Sequence, residues 1–208
     1  MLKVWLTNRK KYIPKYGKNK LTQLAIYGNM ISDKNKGGRI MQKMIKACNF
    51  YVSEWHLFAA LLPYIREELK CRNKIMVISQ DKLEKGMKQL VKKLNIRFEN
   101  EKGLDDIKWL SDEFVLEMSE ETNPVTIVVQ GTLEFVKEIN QYIEDKIAPL
   151  YDDLKIINCY EVYNTNTMLY NILDEHDYVF NTAGFNDKTD IFPGYIDKRK
   201  ALKEAIKQ

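Results

Sequence analysis

Glycine and proline are scarce in this chain, at 9 and 5 of 208 residues, which excludes collagen-like and low-complexity architectures. No stretch of 18 apolar residues occurs, so the sequence offers no transmembrane helix. The first 18 residues, MLKVWLTNRKKYIPKYGK, have no apolar run of signal-peptide type. The three cysteines, Cys48, Cys71 and Cys159, are far apart and form no CxxC, which argues against a disulfide framework or a zinc site and sets the expectation of a cytoplasmic protein. There are only two histidines, His56 and His176, and neither belongs to HExxH. GxxxxGK[ST], GxGxxG and GxSxG are all missing, so a P-loop, a dinucleotide fingerprint and a nucleophile elbow are not expected.

What is present is a globular balance, 45% hydrophobic and 30% charged, enough to bury a core and too apolar for a disordered chain. The net charge of +4 conceals an asymmetry. Residues 1–46 hold 12 Lys and Arg against one acid, Asp33, whereas residues 47–208 hold 21 against 28 acids. The chain therefore reads as a basic arm over 1–46, a mildly acidic body over 47–184 and a tail over 185–208.

The body alternates strand and helix patterns. Lys74–Ser79, Val125–Val129, Lys155–Cys159 and Tyr178–Phe180 read as strands, with residues 48–52 a further candidate and Ile96–Glu99 another from its alternation. Val125–Val129 is apolar throughout, which fits burial on both faces of a parallel sheet. Ser53 is an N-cap for a helix reaching Leu69, with Pro63 expected to kink it or mark a second start. Asp81 is expected to cap a helix carrying Leu83, Met87, Leu90, Val91 and Leu94. Apolar spacing places further helices over 105–120, Leu133–Ala148 and Thr167–Glu175. Leu21–Ile31 is a weaker helical pattern, and the end of the tail is charged and helix-like after Pro193 and Gly194. This order predicts α/β architecture, with a mainly parallel sheet and helices on both faces.

In open parallel sheets, ligands bind at the carboxyl ends of strands. The corresponding segments are Ser79-Gln80, Gln130-Gly131-Thr132, Tyr160-Glu161 and Asn181-Thr182, polar and nearly uncharged. Their chemistry suits a small polar-apolar molecule better than phosphate or acid–base catalysis, so no catalytic residue, metal or cofactor is expected. Ser79, Gln130, Tyr160 and His176 are the candidate contacts of a non-enzymatic sensory or regulatory protein with a small molecule or a regulatory protein partner. His176 ends a helix, where a ring cation would complement the dipole. Tyr160, Tyr163 and Tyr170 lie close together in sequence, either as core or as aromatic pocket walls. The alternative is nucleic-acid binding through Arg9, Lys10, Lys11, Lys15 and Lys18, interleaved with Trp5, Tyr12 and Tyr16. A second alternative is a degenerate nucleotide-binding enzyme.

Two stretches carry a family resemblance. The first is Asn49-Phe50-Tyr51, Ser53-Glu54, Leu61–Ile65, Glu68-Leu69 and Lys74–Ser79. The second is Lys155–Glu161, Ile172-Leu173, His176 and Tyr178-Val179. Together they resemble the MEDS domain, a sensory domain named from methanogens, methylotrophs and the dichloromethane regulator. The resemblance implies a RecA-like fold, related to the KaiC class and without a working P-loop, that senses small ligands. It matches Tyr160, Glu161 and His176 to the family's late Tyr-Asp and His. It departs at Asn158, where the family has Cys, at Lys46–Cys48, where a His is usual, and at Glu68, where a Gly ends the helix.

Overall fold

A computed structural model describes residues 43–98, 102–110, 124–162 and 168–205. The arm residues Arg9, Lys10, Lys11, Lys15 and Lys18, the pattern at Leu21–Ile31, and Tyr163 lie outside the described residues.

The strands are β1 (Lys43–Tyr51), β2 (Lys74–Ser79), β3 (Lys108–Leu110), β4 (Val125–Gln130), β5 (Asp153–Glu161), β6 (Tyr178–Asn181) and β7 (Gly184–Asp187). They form one seven-stranded sheet in the order β3-β2-β4-β5-β1-β6-β7. Every neighbouring pair is parallel except β6 and β7. The helices are α1 (Glu54–Lys70), α2 (Leu83–Lys93), α3 (Leu133–Tyr142), α4 (Leu169–Asp174), α5 (Lys188–Ile191) and α6 (Tyr195–Ala205). The fold is thus α/β with a mostly parallel sheet, as the alternation of patterns predicts.

Alternation along each strand builds two apolar clusters. Ala47, Val77, Val128 and Ile157 pack with Leu57, Phe58, Leu61 and Ile65 of α1 and with Leu83 and Met87 of α2. Cys48, Ile78, Ile127 and Ile156 pack with Val136 and Ile139 of α3, Ile172 and Leu173 of α4, and Tyr195 of α6. At roughly 1.5–3 kcal/mol for each large side chain buried, these clusters dominate the favourable side of folding. Gly86 lets α2 lie close to α1, because a Cβ there would come within 2.9 Å of the Phe58 ring.

Ser53 caps α1, its Oγ accepting the His56 N–H. The helix runs unbroken through Pro63, where a kink or restart was expected. Proline removes the bond to the carbonyl of Ala59, but both residues lie on the exposed side of the helix. At the other end of α2, Asn95 adopts φ 51° and Ile96 N–H reaches back to the Val91 carbonyl at 3.0 Å. This left-handed cap turns the chain away from the sheet.

That cap explains one correction. Residues 96–98 form no strand; Ile96 and Phe98 alternate with Arg97 because they fold back onto the apolar cluster under α2. The helix expected over 105–120 is also absent from its described part. Gly103–Asp106 is a 3-10 turn, and Lys108–Leu110 pairs with Met76–Ile78 as β3. The helix read over Leu133–Ala148 is α3 followed by a wider π turn, Ile143–Ile147, that keeps Ile143 and Ile147 buried. The first strand begins at Lys43, inside the segment read as arm, because its register with β5 extends back to Asp153. In the tail, Gly184–Asp187 pairs antiparallel with β6 before the charged helix α6.

Candidate functional site

One register line crosses the carboxyl end of the sheet. Ser79 of β2 faces Gln130 of β4, Gln130 faces Cys159 of β5, and Cys159 faces Asn49 of β1. All four side chains project to the α1/α2 face, since Val77, Val128, Ile157 and Ala47 two residues earlier belong to that cluster. A polar row is thereby set into an apolar wall.

Its hydrogen bonds are incomplete. Gln130 Nε2 donates to Tyr51 Oη and to Asp81 Oδ2, both at 2.8 Å. Asn49 Nδ2 donates to the Phe180 carbonyl at 2.8 Å. Ser79 Oγ donates to the Asp81 carbonyl at 2.5 Å. The amide oxygens of Gln130 and Asn49 have no donor among the described residues, although both residues are 3% exposed. Each unsatisfied buried acceptor costs on the order of 1–3 kcal/mol. Asn140, Asp153 and Asn158 each hold one more such oxygen, but only Gln130 and Asn49 share a row and a face.

Asp81 does not cap α2 as expected. The helix starts after Lys82 without a side-chain cap, and the Asp81 carboxylate turns to Gln130 instead. Burial pushes the Tyr51 hydroxyl up to about 12, against the Gln130 hydrogen bond that pulls it down. Tyr51 is therefore a neutral hydroxyl at neutral pH.

Tyr160 and His176 sit on the opposite face. Tyr160 is 1% exposed and packs edge-on against the His176 ring, with centroids 5.9 Å apart. His176 Nδ1 lies 2.6 Å from the Ile172 carbonyl, which only accepts, so Nδ1 carries the proton. Nε2 then accepts from Asn158 Nδ2 at 2.8 Å. Burial lowers the ring's pKa to about 4, partly opposed by the bond to Ile172 and by Asp177. The ring is neutral, and the cation expected at a helix end is not formed.

No family model, curated protein or solved structure matches this chain.

Sequence reasoning thus named two pairs of residues that the sheet keeps apart: Ser79 with Gln130 on one face, Tyr160 with His176 on the other. It missed Asn49 as a member of the row, and Tyr51 and Asp81 as the partners of Gln130. An amide inside the apolar run Cys48–Val52 was the available signal. Glu161 and Asn181 lie at the strand ends as expected. His56 is exposed.

The connection from β1 to α1 is two residues, Val52 and Ser53, without glycine, and Glu54 occupies the first helical turn. A carboxylate there already complements the helix dipole and repels phosphate. Among the described residues, no group of three or more His, Cys, Asp or Glu converges as a metal site. Nor is any helix among them long and apolar enough to cross a membrane.

The turn after β4 is tightly built. Gln80 Oε1 accepts the Thr132 N–H at 2.6 Å, and Thr132 Oγ1 caps α3 through Phe135 N–H at 3.3 Å. A Cβ on Gly131 would come 2.5 Å from both Gln80 Oε1 and the Phe135 ring. Gly131→Ala is expected to destabilise by about 1–3 kcal/mol in urea unfolding. In a Gln80→Ala background the penalty should shrink; an unchanged penalty would place the clash on Phe135 alone.

Proposed function

We propose that this chain is a non-enzymatic sensory or regulatory protein, built on a three-layer RecA-like domain. In this reading a small molecule is held at the carboxyl ends of β1 and β4. The observation that carries it is the pair of donor-less buried oxygens, Gln130 Oε1 and Asn49 Oδ1, in one row beside the Tyr51 hydroxyl. Acceptors left empty in an apolar wall suit a compact ligand bearing O–H or N–H donors and an apolar remainder. The MEDS resemblance supports the same reading, because Asn49-Phe50-Tyr51 belongs to the stretch that carries it. The glycine-free, two-residue turn after β1 favours it over the nucleotide-binding alternative. Three free thiols favour a cytoplasmic setting.

Tyr160 and His176 serve this function as the packed backing of the sheet. A ligand on the other face would act by preferring one arrangement of α1 over another, since it can shift conformations only by differential affinity.

A thermal-shift screen of small alcohols, amines and amides tests the proposal. Donor-bearing compounds are expected to raise the Tm of the wild type, and Gln130→Met or Asn49→Leu to abolish the shift. A library without hits, together with a crystallographic water bridging the two oxygens, would make the row purely structural and end the reading.

A further inference from the structure

The body from residue 47 onward is acidic, yet one flank of it is not. Residues 82–98 and 102–110 carry eight Lys and Arg against three Asp and Glu. The structure gathers them around α2 and the sheet edge at β3. A cleft of about 660 Å³ opens between the end of β2, α2 and β3. A second of about 460 Å³ continues past α2 toward Arg97 and Lys102. Lys88 and Lys92 line both, so the two clefts adjoin at these side chains and together make a channel-like flank along the helix.

The charge in this channel is largely uncompensated. Lys88 engages Glu84 at 2.9 Å and Asp105 at 2.6 Å, so one cation is shared between two of the lining carboxylates. The third, Asp81, is tied to Gln130. Lys82, Lys85, Lys92 and Arg97 are exposed and have no ion pair among the described residues. Lys85, Lys88 and Lys92 follow at three and four residues, hence on one side of α2, over about 10 Å of helix.

Aromatic walls accompany the charge. Trp109 lines the first cleft, half-buried, with its indole N–H fixed to the Leu104 carbonyl at 3.2 Å. Phe98 lines the second, braced against Gly103, where a Cβ would meet its ring at 3.4 Å. Gly103 has φ 55°, so a side chain there would also strain the backbone. A groove of unpaired cations with fixed aromatic faces matches a phosphodiester chain whose bases are unstacked. Lysines meet phosphates as point charges without reading sequence. A channel open along one side of a helix suits a flexible strand rather than a rigid duplex.

We propose that the α2–β3 flank binds single-stranded nucleic acid without strong sequence preference, through Lys82, Lys85, Lys92 and Arg97 at phosphates and Trp109 and Phe98 at bases. This surface meets the polar row only at Ser79 and Asp81, and it uses none of the basic residues named for the arm. It stands whether or not a small molecule binds at Gln130 and Asn49.

The test uses the full chain and a fluorescein-labelled thymidine oligonucleotide of about 12 nucleotides, read by anisotropy at about 50 and 200 mM salt. Lys82→Gln/Lys85→Gln/Lys92→Gln removes three exposed cations and leaves the Lys88 ion pairs intact. It should weaken binding roughly tenfold at the lower salt and reduce the log–log salt slope by about 2. An abasic strand of equal length should bind more weakly than the thymidine strand. A variant with Arg9, Lys10, Lys11, Lys15 and Lys18 changed to Gln should keep the flank's contribution.

Any one of several results would overturn the proposal. They are no binding at low salt, equal affinity for wild type and the lysine triple variant, equal affinity for the abasic strand, and binding that depends only on the five arm residues. Residues 111–123, which follow Leu110 in the sequence, carry five carboxylates. Binding seen only after those carboxylates become amides would likewise refute it.

Discussion

Glu68→Leu alone is expected to lower the stability of this protein by about 3 kcal/mol, although leucine is the better core residue. Glu68 is 8% exposed on the last turns of α1. Its Oε1 pairs with Lys155 Nζ at 3.1 Å, and its Oε2 accepts from Asn73 Nδ2 at 3.0 Å and Thr126 Oγ1 at 3.4 Å. The Tyr64 hydroxyl, pushed up by burial, completes the cluster at 3.1 Å from Thr126 Oγ1. Thr126 and Lys155 face each other across β4 and β5, near the amino ends of those strands. Removing the carboxylate strands a cation under α1 and leaves two donors without their acceptor. For a described body of this size, about 3 kcal/mol corresponds to a fall in Tm of roughly 6–12 °C. The companion Lys155→Met should restore most of the loss, because a buried ion pair replaced by apolar side chains is near neutral. A single variant within about 0.5 kcal/mol of wild type, or a double variant no better than the single, contradicts this account.

Acidification should destabilise the fold through His176. The ordinary imidazole pKa is 6.5, and burial takes the folded value to about 4. Between those values the unfolded chain binds a proton that the folded ring refuses. Stability is therefore fully present above pH 6.5 and lost as pH falls toward 4. At about 1.4 kcal/mol per unit, this single group removes about 2.5 kcal/mol between pH 7.5 and 4.5. Lys46 and Lys188 add to the effect by repelling the charged ring, and Asp177 opposes them. His176→Asn retains a donor near the Ile172 carbonyl and cannot titrate. Urea unfolding across this pH range should show the wild type and the variant converging by that amount as pH falls. NMR provides the direct check: a folded-state titration near 6.5, or a proton on Nε2 instead of Nδ1, would refute the assignment.

Both predictions rest on side chains whose meaning depends on register, which is where the sequence was least informative. The strand Val125–Val129 was plain because both its faces are buried, and α1 because Ser53 precedes a full apolar stripe. β3 was missed because three residues carry too few positions to show a period, and β7 because Gly184–Asp187 holds a single apolar side chain, Phe185. Ile107 and Leu110 instead mimicked a helix. Asp81 was misread because capping is a local habit, whereas its partner Gln130 arrives from 49 residues away. The same limit split the candidate site. Ser79, Gln130, Tyr160 and His176 all belong near strand ends, but only the pairing of β2, β4, β5 and β1 tells which face each takes. Asn49 looked like one polar residue in an apolar strand until it aligned with Cys159 and Gln130.

The place of β1 also governs when the fold can form. Its neighbours in the sheet are β5 and β6, and its first residue pairs with Asp153, 110 positions later in the chain. During synthesis at about 5–20 residues per second, β1 waits roughly 5–20 s before its first partner exists. For that interval Ile45, Ala47 and Cys48 belong to a strand with two open edges. The nascent chain is then most exposed to wrong pairing, and any delay in translation before Asp153 lengthens that exposure.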